Sequence, residues 1–291
     1  MKIERDIPKH TLFVEGQNEN ANDPIFIKHL FSAEDGPKLP RIEPMKSSSS
    51  IRSVAESLYA FNSTYYFLID RDHHDDAFVE KCWKNFPDPN TSNLLVWRKK
   101  EMENYFLDPD YISQSQYCVK KDDITQKVLR IANERIFFDV VNRVVIEVRE
   151  LFKENWIQIS DQPSKFSSRE NALNELLSMS EFNEYHSKVE KGVSKTELEL
   201  LFNNFLEEMS GGKEKLEFGH GNWIDRMSGK KILTQLVDSN CFIVTDSSNV
   251  SLNGKEKLQE VIKDLLRNAK KQPDDFIELK RLIIDRINGI R

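Results

Sequence analysis

Three short apolar runs limit what this chain can fold into. "HTLFV" (10–14), "YYFLI" (65–69) and "NLLVW" (93–97) are rich in β-branched and aromatic residues. They are too short for helices and read as buried strands. Between them the apolar residues recur at helical spacing. Asp23 followed by Pro24 is a helix start, a capping residue and then a proline in the first turn, for "PIFIKHLF" (24–31). Ile51, Val54, Ala55 and Leu58 mark one face of a second helix. A third is expected from about Ala77 to Phe86. "PKLPRIEPM" (37–45) has room for one more strand. The serines at 47–50 read as a flexible connector, with Ser50 as the cap of the helix that follows. Strand alternating with helix over 10–112 is the pattern of an α/β fold with a parallel sheet flanked by helices.

The second run does not fade into a loop. It stops at "DRDHHDD" (70–76), seven residues that are all charged or histidine. The first run likewise stops at Glu15 and Gly16. In open α/β sheets the C-terminal edge of the strands is where ligands bind. Asp70 and Asp72 are two apart, so an extended chain points them the same way. If the first and second runs are neighbours, about 5 Å apart, then Glu15, Asp70 and Asp72 converge. Carboxylates so placed repel unless a cation sits among them. Mg²⁺ suits such a group because it takes hard oxygen ligands and keeps waters that a phosphate can replace, and Mn²⁺ is a second candidate. The other reading is a solvated turn in which Arg71 supplies the counter-charge. His73 and His74 are neighbours that would face opposite ways, and they read as loop residues rather than a second metal site.

After about residue 120 the pattern becomes helical. Val141, Val144, Val145, Val148 and Leu151 mark one helix face; Leu198, Leu201, Phe202 and Phe205 mark another, closed by Gly211 and Gly212. Leu258 to Leu266 and Phe276 to Ile287 mark two more. "CFIVT" (241–245) reads as a strand between them.

The chain has 291 residues, a net charge of −6 and a pI near 5.7, so no global basic field draws it to nucleic acid. A polyanionic substrate would need local positive charge, a metal or a partner. Cys82, Cys118 and Cys241 are far apart without metal-ligand spacing, which points to a reducing, cytoplasmic setting. No apolar run approaches the ~18 residues of a membrane span. "SGKKIL" (228–233) lacks the Walker A pattern, so no nucleotide site follows from it. His220 in "GHGNW" offers an acid or base only if the fold brings it to the acidic edge.

The order of strand–Glu15–Gly16, helix, strand, helix and strand–Asp70–Arg71–Asp72 resembles the TOPRIM domain of topoisomerases, bacterial primases and OLD-type nucleases. "EMENYFLDP" (101–109) is similar to an element of bacterial TOPRIM nucleases partnered with ABC-type ATPases, the AriB-like effectors of PARIS anti-phage systems. "WIDRMSGKKILTQL" (223–236) resembles the segment that closes such domains. The resemblance covers roughly 10–112 and 220–237. It implies a TOPRIM-like core over 1–118, a mostly helical insertion over 119–218, a return segment over 219–250 that completes the core, and C-terminal helices over 251–291. It also implies that Glu15, Asp70 and Asp72 hold Mg²⁺, that Glu103 is a catalytic acid, and that Lys230, or Lys231 beside it, stabilises charge on a phosphate. The implied activity is a metal-dependent endonuclease acting on tRNA or DNA, a toxic effector held by an AriA-like ATPase, with a homodimer as one assembly. The loop "GQNENAND" (16–23) is longer than the family's turn, and no role is assigned to Glu19 or Asp23. The alternative is a TOPRIM-shaped module without catalysis that docks on the ATPase.

Overall fold

A computed structural model describes residues 10–31, 39–58, 62–72, 74–86, 93–152 and 168–289. Its centre is a four-stranded parallel sheet of β1 (Thr11–Val14), β2 (Arg41–Pro44), β3 (Tyr65–Ile69) and β4 (Leu94–Val96), in the order β2-β1-β3-β4. The central strands are apolar on both faces, as parallel strands covered by helices must be. Leu12, Val14, Tyr66, Phe67, Leu68 and Ile69 are all buried. Helices α1 (Asn22–Leu30), α2 (Ser48–Leu58) and α3 (Asp76–Asn85) connect the strands. A 3-10 helix (Met102–Leu107) and the short α4 (Pro109–Ile112) follow β4.

The rest is helical: α5 (Ile124–Leu151), α6 (Arg169–Ser178), α7 (Ser180–Gly192), α8 (Lys195–Ser210), α9 (Trp223–Arg226), α10 (Gly229–Asp238), α11 (Gly254–Asn268) and α12 (Asp274–Ile287). The chain divides into two compact units. One comprises 1–134 and 222–291, so α9 to α12 share a unit with the sheet. There α10 packs on the 3-10 helix and on α11, while α11 packs on α1. The second unit is 135–221. Its helix α8 ends at Gly211, whose φ of 62° is the left-handed C-cap that glycine adopts without strain.

Three local expectations fail. Asp23 is not the cap of α1, which begins at Asn22 after the capping residue Ala21, so Asp23 lies inside the first turn. The serines at 48–50 are the first turn of α2, not a connector. Ser47 is the capping residue, its Oγ accepting the Ser50 N–H at 3.4 Å, because a hydroxyl just before the helix satisfies a free donor of the first turn. "CFIVT" is not a strand. Cys241, Phe242 and Val244 are buried, but pairing is confined to single bridges between Cys118 and Phe242 and between Thr245 and Ser251. The apolar run reflects burial, which a strand and an irregular segment share. Among the described residues no helix is long and apolar enough to cross a membrane.

Candidate active site

Glu15 follows the last residue of β1 and Asp70 the last residue of β3. These strands pair in parallel, and the sheet order changes direction between them. This is the topological switch point, where connections diverge and leave a crevice at the C-terminal strand ends. Glu15 Oε1 accepts the Asp70 backbone N–H at 3.0 Å, which ties the two strand ends together. Asp70 is buried, and its Oδ2 accepts a hydrogen bond from Lys230 Nζ at 2.8 Å, across 160 residues of sequence.

Lys230 reaches this point through a set of contacts around "EMENY". The Lys230 backbone N–H donates to Glu101 Oε2 at 2.7 Å, and Ser228 Oγ lies 3.4 Å from the same carboxylate. Glu101 caps the 3-10 helix, and its own N–H donates to Asn104 Oδ1 at 3.0 Å. Asn104 Nδ2 donates to the carbonyls of Ile224 and Met227 at 2.6 and 2.9 Å. Asn104 is fully buried, and its amide ties the start of the 3-10 helix to α9 and to Met227, just before α10. The glycine before Lys230 is needed for this approach rather than for a turn. A Cβ on Gly229 would stand 2.4 Å from Asn104 Oδ1.

Asp72 departs from the extended geometry assumed for it. Its φ of 49° is left-handed, a conformation Asp tolerates, so Asp70 and Asp72 do not share a strand face. Asp72 is exposed, and its Oδ2 accepts a hydrogen bond from Ser48 Oγ at 3.2 Å. Arg71 is not the counter-charge of the acids beside it. Its buried guanidinium donates to the Arg98 carbonyl at 2.7 Å, the His74 carbonyl at 2.9 Å and Asp76 Oδ1 at 2.5 Å. It is a clamp inside the loop. The His74 ring packs on Phe78, with centroids 4.8 Å apart. His73 lies outside the described residues. His220 belongs to the second unit, where its Nε2 lies 3.7 Å from Glu217 Oε2.

Two acids without an assigned role join the cluster, Asp23 and Glu101. Gly16 has a φ of 147°, and a Cβ there would stand 2.9 Å from Ala21 Cβ. The loop after β1 therefore folds back tightly and returns Asp23 to the strand ends, where Glu15, Asp23 and Asp70 line one small cavity with Trp97 and Met102. The available signal for Asp23 is its place in the first turn of the helix after β1. For Glu101 it is the three-residue spacing to Asn104, which matches a capping box.

The electrostatics follow from crowding acids in a buried place. Burial, then the charge of Asp70, pushes the Glu15 carboxyl up to about 7. Burial, then Asp70, pushes Asp23 up to about 7 as well. Burial raises Asp70 to about 6 even though Lys230 pulls it back. Glu103 is 0% exposed, neither oxygen has a hydrogen-bond partner, and burial followed by Asp23 holds it well above the usual carboxylate range. A residue enclosed in this way does not face solvent, in contrast to the surface acid expected of a residue that meets substrate. For Lys230, burial opposes the charge, but Asp70, Glu103 and Asp23 outweigh it and raise the ammonium pKa. Lys230 keeps 40% of its side-chain surface exposed, enough to meet an anion from solvent while it holds Asp70.

No family model matches this chain, and no curated protein is similar to it in sequence. Among the described residues no three His, Cys, Asp or Glu side chains converge as a metal-holding group. The donor chemistry nonetheless fits a hard cation. Glu15 and Asp70 bring hard carboxylate oxygens to one strand edge, with Asp72 in the loop just beyond, and burial is the main cause that raises the carboxyl pKa values of Glu15 and Asp70. The only cation bonded to Asp70 among the described residues is the Lys230 ammonium.

Proposed function

We propose that this sheet edge is the centre of a Mg²⁺-dependent TOPRIM-type endonuclease that cleaves phosphodiester bonds in tRNA or DNA. The observation that carries the reading is the approach of Lys230 to Asp70, 2.8 Å apart, at a switch point already holding Glu15. A cation and several acids at one strand edge are what a phosphodiester requires, since its charge must be met while its attacking water is deprotonated. Glu15, Asp70 and Asp72 would hold the metal, which when bound polarises a phosphoryl oxygen and activates water. Lys230 contacts a non-bridging oxygen and stabilises charge as it develops. Asp70 is the foremost charge that keeps that lysine protonated, and Glu101 and Asn104 set its place. Lys231, one residue on, is exposed and makes no such contact among the described residues.

The net charge of −6 supports a nuclease delivered by another protein, in this reading an AriA-like ABC-type ATPase of a cytoplasmic anti-phage system. A homodimer is part of the same proposal. The test is incubation of the purified protein with tRNA, single-stranded DNA and plasmid in Mg²⁺, Mn²⁺ or chelator. Cutting of any of the three that requires the divalent ion supports the reading, and three intact substrates in every condition contradict it.

One observation favours a second reading, a docking module without catalysis: the Lys230 ammonium meets the charge of Asp70 directly, at 2.8 Å. In that case Glu15→Gln leaves partner binding and cellular toxicity unchanged.

A further inference from the structure

Because the sheet is wholly parallel, the C-terminal ends of all four strands lie on one edge. In the order β2-β1-β3-β4, the two central ends carry Glu15 and Asp70. The two outer ends carry lysines in matching positions. The carbonyl of Lys46, beyond β2, accepts the N–H of Gly16, the residue after Glu15, at 3.3 Å. The carbonyl of Lys100, beyond β4, accepts the N–H of Arg71, the residue after Asp70, at 3.0 Å. Each central acid thus has a lysine one strand further out. Neither Lys46 nor Lys100 has an ion pair among the described residues, whereas Lys28, Lys99 and Lys230 are each paired with a carboxylate.

From this juxtaposition we propose that the substrate backbone crosses the edge perpendicular to the strands, from β2 to β4, with Lys46 and Lys100 binding phosphates on either side of the one that is cut. The inference rests on the nuclease reading and adds the path of the strand to it. The charge order is basic, acidic, acidic, basic. A small cationic ligand would be repelled by both ends, and an isolated phosphate would use neither. A polyanion matches both ends while a metal neutralises the middle. Three strand spacings amount to about 14 Å, room for the phosphate that is cut with a neighbouring phosphate on each side. Backbone contacts of this kind position the strand without reading its sequence.

The experiment measures binding rather than cleavage. Fluorescence anisotropy follows a labelled 12-nucleotide single strand, as RNA and as DNA, bound to Glu15→Gln protein in Mg²⁺ over a range of salt. Lys46→Ala with Lys100→Ala is compared with Lys121→Ala with Lys127→Ala, a control pair with the same charge change near the start of α5. The inference predicts that the first pair weakens binding on the order of 10-fold at 0.1 M salt and flattens the plot of log K against log salt by about 1.4, roughly 0.7 per lost phosphate contact. The control pair leaves both unchanged. Binding that ignores Lys46 and Lys100, or that falls equally in the control, overturns this path and leaves the nuclease reading standing. Absence of binding by the Glu15→Gln protein to either strand likewise overturns this path, while the nuclease reading is decided separately by the cleavage assay.

Discussion

Asn104 Oδ1 occupies the space where a Cβ on Gly229 would lie, at 2.4 Å, and so joins the "ENY" and "GK" stretches into one structural unit. The neighbour is not only the end of a flexible side chain, because the Asn104 backbone nitrogen is 2.6 Å from the same point. Gly229→Ala must displace the 3-10 helix or the start of α10, with Lys230 on it. Overpacking of this sort destabilises by about 1–3 kcal/mol. A urea unfolding curve should show that loss, and an unchanged midpoint would mean the two stretches are less tightly coupled than the contacts indicate.

A double-mutant cycle measures the Asp70–Lys230 pair. Asp70→Asn keeps an acceptor but leaves the part-buried ammonium without its anionic partner, and Lys230→Met leaves a buried carboxylate without its cation. Each should destabilise, while the double variant should cost less than their sum, with a coupling of about 1–2 kcal/mol, between exposed and fully buried pairs. Additive losses would show that the 2.8 Å contact contributes nothing to stability.

Glu15, Asp23 and Asp70 give the metal-free protein a pH dependence opposite in sign to that of most salt-bridged carboxylates. Their folded pKa values are raised, to about 7, 7 and 6. The folded state therefore binds protons more tightly than the unfolded chain, and stability falls as pH rises from about 4 through about 7. Asp76, lowered chiefly by its hydrogen bond from Arg71, acts below that window. Thermal melts in chelator should fall between pH 4.5 and 7.5, and Glu15→Gln should flatten the slope. A melting temperature that climbs across this window would contradict the crowding of these acids.

The strands and the first-half helices are legible from residue pattern because their periods of two and 3.6 are written locally. Glu15 and Asp70 were identifiable because each ends an apolar run. What lies at the site for non-local reasons is not legible in that way. The burial of Glu103 depends on the packing around it, which no neighbour in the sequence announces. Asp23 returns to the strand ends only because Gly16 lets the loop fold back on Ala21. The left-handed turn at Asp72 breaks the alternation that would have aligned it with Asp70. Arg71 looks like a counter-charge in sequence, but its fork is taken up by two carbonyls and Asp76.

That fork yields a further prediction. Arg71 is 4% exposed and its planar donors meet three acceptors in a fixed geometry. Lysine keeps the charge but cannot span them. Arg71→Lys should cost about 2–4 kcal/mol in urea unfolding. A loss below about 0.5 kcal/mol would show that the "DRDHHDD" loop does not depend on this clamp.

The central claim is that Glu15, Asp70 and Lys230 form a metal-dependent phosphodiester-cleaving centre. Its most direct test places wild-type protein and Glu15→Gln side by side on tRNA and DNA in Mg²⁺, with products resolved on a denaturing gel. The account predicts cleavage by the wild type that chelator abolishes and that Glu15→Gln lacks, with folding unchanged by circular dichroism. Cleavage by a folded Glu15→Gln protein at the wild-type rate, or in the presence of chelator, would contradict it.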